Sequence, residues 1–278
     1  MQGELMSGIS AHMIVKNEDQ WVWFSIQSIL PYVDELLITD TGSTDHTIEI
    51  IRSIKSSKIK LSMVKVGSSA DVTSVRQLQL HRTKNAWIWI VDGDEIYSEA
   101  TVKECLSAID SDKYEGIVVR RYDLLGDIYH RQIESVGSYE LFGQKGHLVT
   151  RLINKEKIRG LHYQGDYPLE GWFDQTGVST HDHDRKNWYI TDNYLYHAMY
   201  LTRSSQGSNL PMFNRSKYKI ETGIKIVGVD PCVDPSTPEV FALQRPSIVP
   251  DPFVHRGIGY ELAASIITPI KDLKRKFI

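Results

Sequence analysis

The chain has little cysteine, no extreme charge and no long apolar run, and each shortage excludes a class of protein. Its 278 residues include two cysteines, Cys105 and Cys232, which lie far apart and lack the spacing of a zinc or redox site. We therefore expect reduced thiols and a cytoplasmic protein. No apolar run reaches the roughly 20 residues that a membrane-spanning helix needs, which argues against an integral membrane protein.

The net charge is −3 at pH 7, so the sequence offers no basic surface of the kind that binds nucleic acid. The start of the chain has no basic segment followed by an apolar stretch, which argues against secretion, and no internal repeat is evident. A hydrophobic fraction of 41% and a charged fraction of 24% are ordinary for a globular enzyme with a large core.

One apolar run of strand length stops at three carboxylates: Trp87-Ile88-Trp89-Ile90-Val91-Asp92-Gly93-Asp94-Glu95. A buried strand cannot hold that much unpaired charge, so the acids must follow its end, where ligands bind in an open α/β sheet. Two aspartates separated by one residue suit a hard divalent cation that also binds a diphosphate. An Asp-x-Asp on its own is equally typical of a capped helix start with solvated acids.

Strands and helices alternate through the first third of the chain. The apolar patterns predict strands over 10–15, 35–39, 61–66 and 87–91, and helices over 21–30 and 47–54. Further strands are predicted over 116–122 and 147–153. Such alternation implies parallel pairing with right-handed crossovers, so polar groups gather at the ends of at least three neighbouring strands.

Three blocks occur in order near the start of the chain: Met13-Ile14-Val15-Lys16-Asn17-Glu18, Asp40-Thr41-Gly42-Ser43-Thr44-Asp45 and Asp92-Gly93-Asp94-Glu95. Together they resemble the signature blocks of family 2 glycosyltransferases. The resemblance implies an α/β GT-A fold, a Rossmann-like, mostly parallel mixed sheet flanked by helices, that uses nucleotide-sugar donors. We expect residues 1–200 to form the nucleotide-sugar-binding and catalytic domain, and residues 201–278 to form a lid and a C-terminal extension.

The resemblance also implies which residues surround the donor. Asp40 would accept a hydrogen bond from a base N–H and Glu18 would lie beside the ribose or base, since ionised carboxylates only accept hydrogen bonds. The alternatives are that Asp40 stabilises its own turn and that Glu18 caps a helix. Asp71 and Arg76 resemble a further family segment, in which Val75 and Gln77 replace an alanine and an asparagine. The full set is Val15, Asn17, Glu18, Asp40, Gly42, Ser43, Asp71, Arg76, Asp92, Gly93 and, in a polar loop predicted to be a lid, Arg203.

A leaving nucleoside diphosphate gains negative charge, which a bound Mn²⁺ or Mg²⁺ stabilises. We expect Asp94 to ligate this metal directly and Asp92 to contact it or the ribose. His197 would be the third ligand, because its surroundings resemble a His-x-x-Tyr segment of related bacterial transferases. His181 and His183 are the alternative, although their run of four polar residues is more typical of a solvated loop.

An inverting transfer needs a carboxylate that takes the proton of the acceptor hydroxyl. Family 2 members carry this base downstream of the metal motif, which indicates Glu170, then Asp174 and, third, Asp166. The aromatic and glycine-rich segment over 163–174 is typical either of sugar binding or of ordinary core packing.

The resemblance, together with these residues, implies a metal-dependent inverting glycosyltransferase that moves a sugar, expected to be UDP-linked, to a glycan or lipid-linked acceptor on the cytoplasmic side. The alternative is a nucleotidyltransferase, or a non-catalytic nucleotide-sugar-binding protein, of the same fold. The segment 260–278 carries apolar residues followed by basic ones. It could form a peripheral membrane contact, or a helix packed on the domain or on a second subunit of a homo-oligomer.

Overall fold

The computed structural model describes residues 8–201 and 237–276. Its helices are α1 (Val22–Ile29), α2 (Thr47–Ser53), α3 (Ser69–Arg82), α4 (Glu99–Asp110) and α5 (Ile258–Lys276). Its strands are β1 (Ile9–Val15), β2 (Glu35–Asp40), β3 (Ile59–Met63), β4 (Trp87–Ile90), β5 (Glu95–Tyr97), β6 (Gly116–Leu125), β7 (Tyr139–Leu141), β8 (Gln144–Gly146), β9 (Leu148–Asn154), β10 (His162–Gln164), β11 (Gly171–Phe173) and β12 (Trp188–Tyr200). The predicted loop over 202–208, with Arg203, lies outside the described residues.

Eight of the described strands form one mixed sheet in the order β3-β2-β1-β4-β9-β6-β12-β5. β1 pairs in parallel with β2 and β4, β2 pairs in parallel with β3, and β6 pairs in parallel with β12. β9 runs antiparallel to β4 and β6, and β5 runs antiparallel to β12. The predicted fold class, an α/β GT-A sheet flanked by helices, is confirmed.

The centre of the sheet is buried on both faces, which explains the apolar run at β4. Trp87 and Trp89 belong to one hydrophobic cluster, which includes residues of α1 and α4, while Ile88 and Ile90 belong to a second. Successive strand residues point to opposite faces, so every residue of β4 is in a core. The charged residues are therefore confined to the end of the strand.

The strand directions bring the carboxyl ends of several strands to the same side of the sheet. β1, β2 and β4 end there, and Val15 pairs with Asp40. Because β9 is antiparallel to both β4 and β6, β6 and its parallel neighbour β12 also run toward this edge. His197 on β12 pairs with Asp123 on β6 and, on its other side, with Glu95 on β5. We call this side of the sheet the carboxyl edge.

The described part of the C-terminal extension packs on the same body as the sheet. The Phe241 ring lies 5.3 Å from that of Phe24 on α1, centroid to centroid. The backbone N–H of Arg256 donates to Asp127 Oδ2 at 3.0 Å, just beyond the end of β6. α5 then continues as one helix through Pro269. Within the described ranges, no helix combines the length and the apolar character needed to cross a bilayer.

Candidate active site

Asp40, at the end of β2, organises the turn that follows it. Its Oδ1 accepts hydrogen bonds from the backbone N–H groups of Gly42 at 2.9 Å and Ser43 at 3.0 Å, and the Ser43 hydroxyl donates to Oδ2. Gly42 has a φ of +103°, a conformation that favours glycine. Asp40 is buried, so the turn fixes a carboxylate at the carboxyl edge.

The residues that follow β1 are tied to this turn. Asn17, whose φ is +54°, donates its backbone N–H to Ser43 Oγ at 2.9 Å and accepts the backbone N–H of Thr44 on its side-chain oxygen at 2.7 Å. Glu18 donates its backbone N–H to Thr47 Oγ1 at 2.7 Å, and its side chain is buried. The first two family-like blocks therefore form one rigid unit.

Gly93 brings the third block against the first. A Cβ added at Gly93 would lie 3.1 Å from Val15 Cγ1 and 3.2 Å from Glu18 Cγ. Only glycine leaves room for this approach without moving its neighbours. Val15, Glu18 and Gly93, which are distant in sequence, therefore line one side of the carboxyl edge.

Asp94 faces a histidine that is itself held by a second carboxylate. His197 Nε2 lies 3.4 Å from Asp94 Oδ2, and His197 Nδ1 lies 3.1 Å from Asp123 Oδ1. All three side chains are buried. Burial alone would lower the pKa of His197, but Asp94 and Asp123 outweigh it and raise this pKa to about 9. Near neutral pH the imidazole is therefore protonated between two carboxylates.

Two further basic side chains lie beside Asp123. Arg121 Nε lies 3.1 Å from its Oδ1, and His147 Nδ1 lies 3.8 Å from its Oδ2. Burial would raise the pKa of Asp123, but His197, Arg121 and His147 together lower it. The carboxylate stays ionised, so it can orient the His197 ring through Nδ1.

Asp92 belongs to a different arrangement, although it is two residues from Asp94. Its Oδ2 accepts a hydrogen bond from Arg151 Nη2 at 2.7 Å, and the same nitrogen lies 2.5 Å from Glu95 Oε1. Arg151 and Glu95 are buried. Burial raises the pKa of the Glu95 carboxyl and Arg151 opposes that rise, while Glu95 and Asp92 hold the pKa of Arg151 well above its usual value against burial.

Arg76 joins this group to a predicted catalytic residue. Its Nε donates to Glu170 Oε1 at 2.8 Å, and both side chains are largely buried. Burial would lower the pKa of Arg76, but Tyr163, Asp92 and Glu170 raise it, so these groups surround the guanidinium. Among the described residues, Glu170 Oε2 is buried without a hydrogen-bond partner. We refer to the set Arg76, Asp92, Glu95, Arg151 and Glu170 as the arginine-linked cluster.

The other candidate bases lie elsewhere. Asp174 Oδ1 accepts hydrogen bonds from the Thr176 and Val178 backbone N–H groups at 2.8 and 3.0 Å and from the Thr176 hydroxyl, so it closes its own turn. These bonds, the Thr176 hydroxyl first, lower the pKa of Asp174. Asp166 is exposed. Among the described residues, no hydrogen bond or ion pair joins either side chain to the arginine-linked cluster.

The alternative histidines are committed to different partners. His181 Nε2 lies 3.0 Å from Thr150 Oγ1, and burial lowers its pKa. His183 Nδ1 lies 2.7 Å from Glu115 Oε2, and its Nε2 lies 3.6 Å from Asp174 Oδ2. The structure brings His197, rather than either of these, to Asp94.

Asp71 caps its own helix on the surface. Its Oδ2 accepts the backbone N–H groups of Gly67 and Ser68, both at 2.8 Å, and Ser68 completes a capping box at the start of α3. These bonds, Gly67 first, lower the pKa of Asp71. Its neighbour on α3, Arg76, is by contrast buried in the arginine-linked cluster.

The aromatic segment over 163–174 packs mostly on itself. The Tyr163 and Trp172 rings lie 3.7 Å apart, centroid to centroid, across the β10–β11 pair. Trp172 belongs to a hydrophobic cluster, and burial raises the pKa of the Tyr163 phenol. This pair therefore follows the core-packing interpretation, whereas Leu169 in the connecting loop is strongly exposed.

Sequence reasoning missed two residues that build the site, Asp123 and Arg151. Arg151 is the only charged residue of β9, and Asp123 is the only buried one of the three charged residues of β6; a buried charge requires a partner. That rule identified the acids after β4 and could have marked both positions. What it could not supply is the partner, because β6 and β9 reach β12 and β4 from distant parts of the sequence.

The donor atoms at Asp94 and His197 fit a divalent cation that shares its coordination with a diphosphate. A metal-bound imidazole commonly donates its other N–H to a carboxylate, and Asp123 is in that position relative to His197. Across residues 8–201 and 237–276, no three His, Cys, Asp or Glu side chains form a complete ligand set by themselves. The remaining ligands would be phosphate oxygens and water, as is usual for Mg²⁺ and similar ions.

The family model described as "Glycosyl transferase family 2" matches residues 10–162. Two curated relatives are uncharacterized glycosyltransferases. That of Rickettsia felis is 29% identical over 152 residues, 54% of this chain and 49% of the relative. That of Rickettsia conorii is 28% identical over 157 residues, 56% of this chain and 51% of the relative. The chain therefore spans about half the length of the curated relatives it matches.

Two solved structures are also similar. S. aureus TarS 1–349 in complex with UDP-GlcNAc has a TM-score of 0.48 and 13% identity, covering 78% of this chain and 66% of that TarS chain. Glucosyl-3-phosphoglycerate synthase from Mycobacterium tuberculosis, in complex with Mn²⁺ and UDP-glucose, has a TM-score of 0.33 and 23% identity, covering 42% of this chain and 44% of the synthase. At such scores, neither similarity bears on the substrate of this chain.

Proposed function

The chain belongs to glycosyl transferase family 2, and on that premise we propose that it is a metal-dependent, inverting glycosyltransferase. It moves a sugar from a UDP-linked donor to a hydroxyl of a glycan or lipid-linked acceptor. The observation that carries the proposal is the Asp94–His197 pair, backed by Asp123, at the same carboxyl edge as the Asp40 turn. A site of this kind faces the charge that a leaving diphosphate develops.

The nucleotide would lie against the unit formed by the first two blocks. Val15, Asn17, Glu18 and the turn over 40–43 form one wall, and Gly93 keeps that wall close to the metal motif. Asp40 is oriented by its own turn, and each carboxylate oxygen can accept more than one hydrogen bond. A uracil base offers an imide N–H to such an acceptor.

Asp94 and His197 would hold the divalent cation, Mn²⁺ or Mg²⁺. When bound, this cation supplies positive charge to the diphosphate as the sugar–oxygen bond breaks. Asp123 keeps the His197 ring oriented through Nδ1. His197 Nε2 must give up its proton before it can ligate, because a metal-bound imidazole is neutral at that nitrogen.

Glu170 is the proposed base. Its Oε1 is paired with Arg76, and Oε2 has no described hydrogen-bond partner, so this oxygen can accept a proton. The acceptor hydroxyl would lose its proton to Oε2 while its oxygen attacks the anomeric carbon. The diphosphate leaves from the opposite side of the sugar, which inverts the configuration. Asp174 is the second candidate, though its Oδ1 is engaged in the turn that it closes.

Localisation at the cytoplasmic side, where nucleotide sugars are made available, is part of the same proposal. Arg203 would contact the donor phosphates from the predicted lid. No nucleic-acid partner is proposed, since the net charge is −3.

The proposal is tested first by ligand-dependent stabilisation. A ligand that binds only the folded state raises the melting temperature, so UDP with Mn²⁺ should raise it more than UDP alone and more than ADP with Mn²⁺. Equal stabilisation by ADP and UDP would contradict the uridine preference. Equal stabilisation with and without Mn²⁺ would contradict the metal.

Turnover is tested separately, by UDP release from UDP-sugars offered with and without candidate acceptors. Acceptor-dependent release with a product of inverted anomeric configuration, read by NMR coupling constants, is the expected result. Retained configuration would exclude the inverting mechanism. Tight binding of every UDP-sugar with no transfer to any acceptor would favour the non-catalytic binding protein.

A further inference from the structure

Helix α5 exposes an apolar stripe. Five large aliphatic side chains are 59–79% exposed, and they recur at intervals of four, four, four and three residues: Ile258, Leu262, Ile266, Ile270 and Leu273. A single exposed leucine is ordinary on a soluble protein, but five aligned on one helix form a continuous patch. We call these five residues the α5 stripe.

The opposite face of α5 is fixed to the protein, so the helix cannot roll to bury the stripe. Ala264 is fully buried, and a Cβ added at Gly126 would lie 3.1 Å from the Tyr260 ring. Arg256 donates to both carboxylate oxygens of Glu261, at 2.7 and 3.0 Å, and its backbone N–H bonds to Asp127. Packing on the domain therefore accounts for one face of the helix and leaves the other outward.

The charge of α5 indicates what the stripe meets. All four basic residues of the helix lie in its last six positions, as Lys271, Lys274, Arg275 and Lys276, against the two acids Glu261 and Asp272. The whole chain, by contrast, has a net charge of −3. An apolar face beside a basic end is the composition of helices that lie in the interface of an anionic bilayer.

The spacing of the stripe favours a surface over a second helix. Four residues advance an α-helix by slightly more than one turn, so successive members of the stripe drift by about 40° around the axis. The stripe is therefore broad. Coiled-coil seams instead alternate steps of three and four residues, which keeps the apolar side chains in a narrow line toward a partner helix.

We infer that α5 docks this protein on an anionic lipid bilayer. The α5 stripe lies at the boundary between the headgroups and the acyl chains, and the basic end lies on the lipid phosphates. The helix lies on the surface and does not cross it. Its anchor, Asp127, is four residues beyond Asp123, so the bilayer would lie beside the carboxyl edge. This inference does not depend on glycosyl transfer.

Vesicle flotation of the full chain, without donor or metal, tests the inference. The protein should float with vesicles that contain phosphatidylglycerol and remain behind with pure phosphatidylcholine vesicles. Raising the salt concentration should release it, because the headgroup attraction is screened. Failure to float with the anionic vesicles would overturn the inference, whether or not the protein transfers sugar.

Two matched pairs of variants locate the contact. Leu262→Ser/Ile266→Ser should reduce anionic-vesicle binding at least about tenfold, whereas Leu78→Ser, at an exposed position of α3, should leave it unchanged. Lys274→Glu should reduce binding several-fold, whereas Lys113→Glu, at an exposed position before β6, should not. All five substituted positions are exposed, so unchanged melting temperatures are expected.

Light scattering separates the rival occupants. If the wild type is a dimer that Leu262→Ser/Ile266→Ser converts to a monomer, and neither floats, the stripe is an interface between copies and the inference is wrong. Equal flotation of this double variant and the wild type would also overturn it, because the lipid contact would then lie elsewhere on the chain.

Discussion

Asp92 and Asp94 are separated by one glycine, yet they sit in two different electrostatic settings. Asp92 is bound by Arg151, a cation that is permanently charged and buried. Asp94 faces His197, a cation whose charge is a proton that can leave. In the first setting the protein supplies the cation permanently, whereas in the second we propose that a metal ion replaces the proton of His197.

The difference shows how a short acidic motif can be both stable and reactive. Three adjacent acids would repel one another and destabilise the fold if all depended on an incoming cation. Arg151 is paired with two of them, Asp92 and Glu95, which leaves Asp94 facing His197. The carboxyl edge thus separates the residues that maintain structure from those proposed to bind the donor.

Removing the Asp94 carboxylate should have the largest effect on turnover. Asp94→Ala is expected to lower kcat at least about 10³-fold and to abolish the Mn²⁺ dependence of UDP binding, since the leaving diphosphate loses its countercharge. Steady-state UDP release and calorimetry with and without Mn²⁺ measure the two effects. Asp92→Ala should reduce turnover less. Equal losses for the two variants would show that Asp92 and Asp94 do not have different roles.

Breaking the ion pairs of Arg151 with Asp92 and Glu95 should instead lower the stability of the fold. Arg151→Met leaves Glu95 buried and unpaired, and we expect the free energy of unfolding in urea to fall by about 3–5 kcal/mol. Arg120→Met, which breaks a more exposed pair with Glu134, should cost under about 1 kcal/mol. Glu95→Gln added to Arg151→Met should recover part of the loss. An Arg151→Met variant as stable as Arg120→Met would show that the pairing is not structural.

Glu170, the proposed base, belongs to the arginine-linked cluster together with Asp92. Its substitution therefore tests whether that cluster also has a catalytic role. Glu170→Gln should lower kcat by about 10²-fold or more while the calorimetric affinity for UDP with Mn²⁺ is retained. The acid limb of the kcat–pH profile should disappear as well, which a purely structural role would not cause. Asp174→Asn is the matched variant and should lose less than about tenfold. The reverse order would transfer the role to Asp174.

Substitutions of the histidines test whether the metal ligand is His197 or lies in the His181/His183 cluster. His197→Ala should weaken Mn²⁺-dependent UDP binding by at least about tenfold, and Asp123→Asn by about tenfold, through loss of the ligand and of its orientation. His181→Ala and His183→Ala, made together, should leave that binding within about twofold. If the double variant loses metal-linked binding and His197→Ala retains it, the ligand lies in the earlier cluster.

A gradual effect, at most about tenfold for each pH unit, is expected for the pH dependence of the same binding. The pKa of His197 is raised to about 9, so a metal ion must displace its proton at neutral pH, and Mn²⁺-linked UDP affinity should rise by up to about tenfold per pH unit toward pH 9. Without metal, the sign for stability is opposite. The stabilisation from this raised pKa is complete below 6.5 and is lost as pH rises through 9. Titrations at several pH values and urea unfolding check both, and a flat affinity profile would contradict the exchange.

Local patterns predicted the parts of the fold that depend on nearby residues. β1, β2 and β4 each combine an apolar run with a polar stop, and their predicted bounds lie within about one residue of those in the structure. β9 is different, because it enters the sheet between β4 and β6 by antiparallel pairing across a long sequence separation. No local periodicity encodes that choice of neighbour, and Arg151 reaches Asp92 only because of it.

The same limit applies to the site. Asp40, Asp92 and Asp94 were placed at strand ends because a buried strand excludes charge. The Arg151 partner of Asp92 was not predictable, and neither was Asp123 beside the expected ligand His197, since both arrive on strands that lie far from β4 in the sequence. α5 shows a related limit. Its apolar positions are evident in the sequence, but which of them the domain covers depends on the anchor that Arg256 makes with Asp127.

The bond network of Arg151 also has an evolutionary consequence. Arg151 is the cation paired with Glu95, whose side chain is fully buried, so a substitution at Arg151 leaves that carboxylate without its counter-charge. These positions should therefore vary together among relatives of this chain. We expect lineages that lose the arginine to carry a neutral residue in place of Glu95, whereas Asp94 can stay constant regardless.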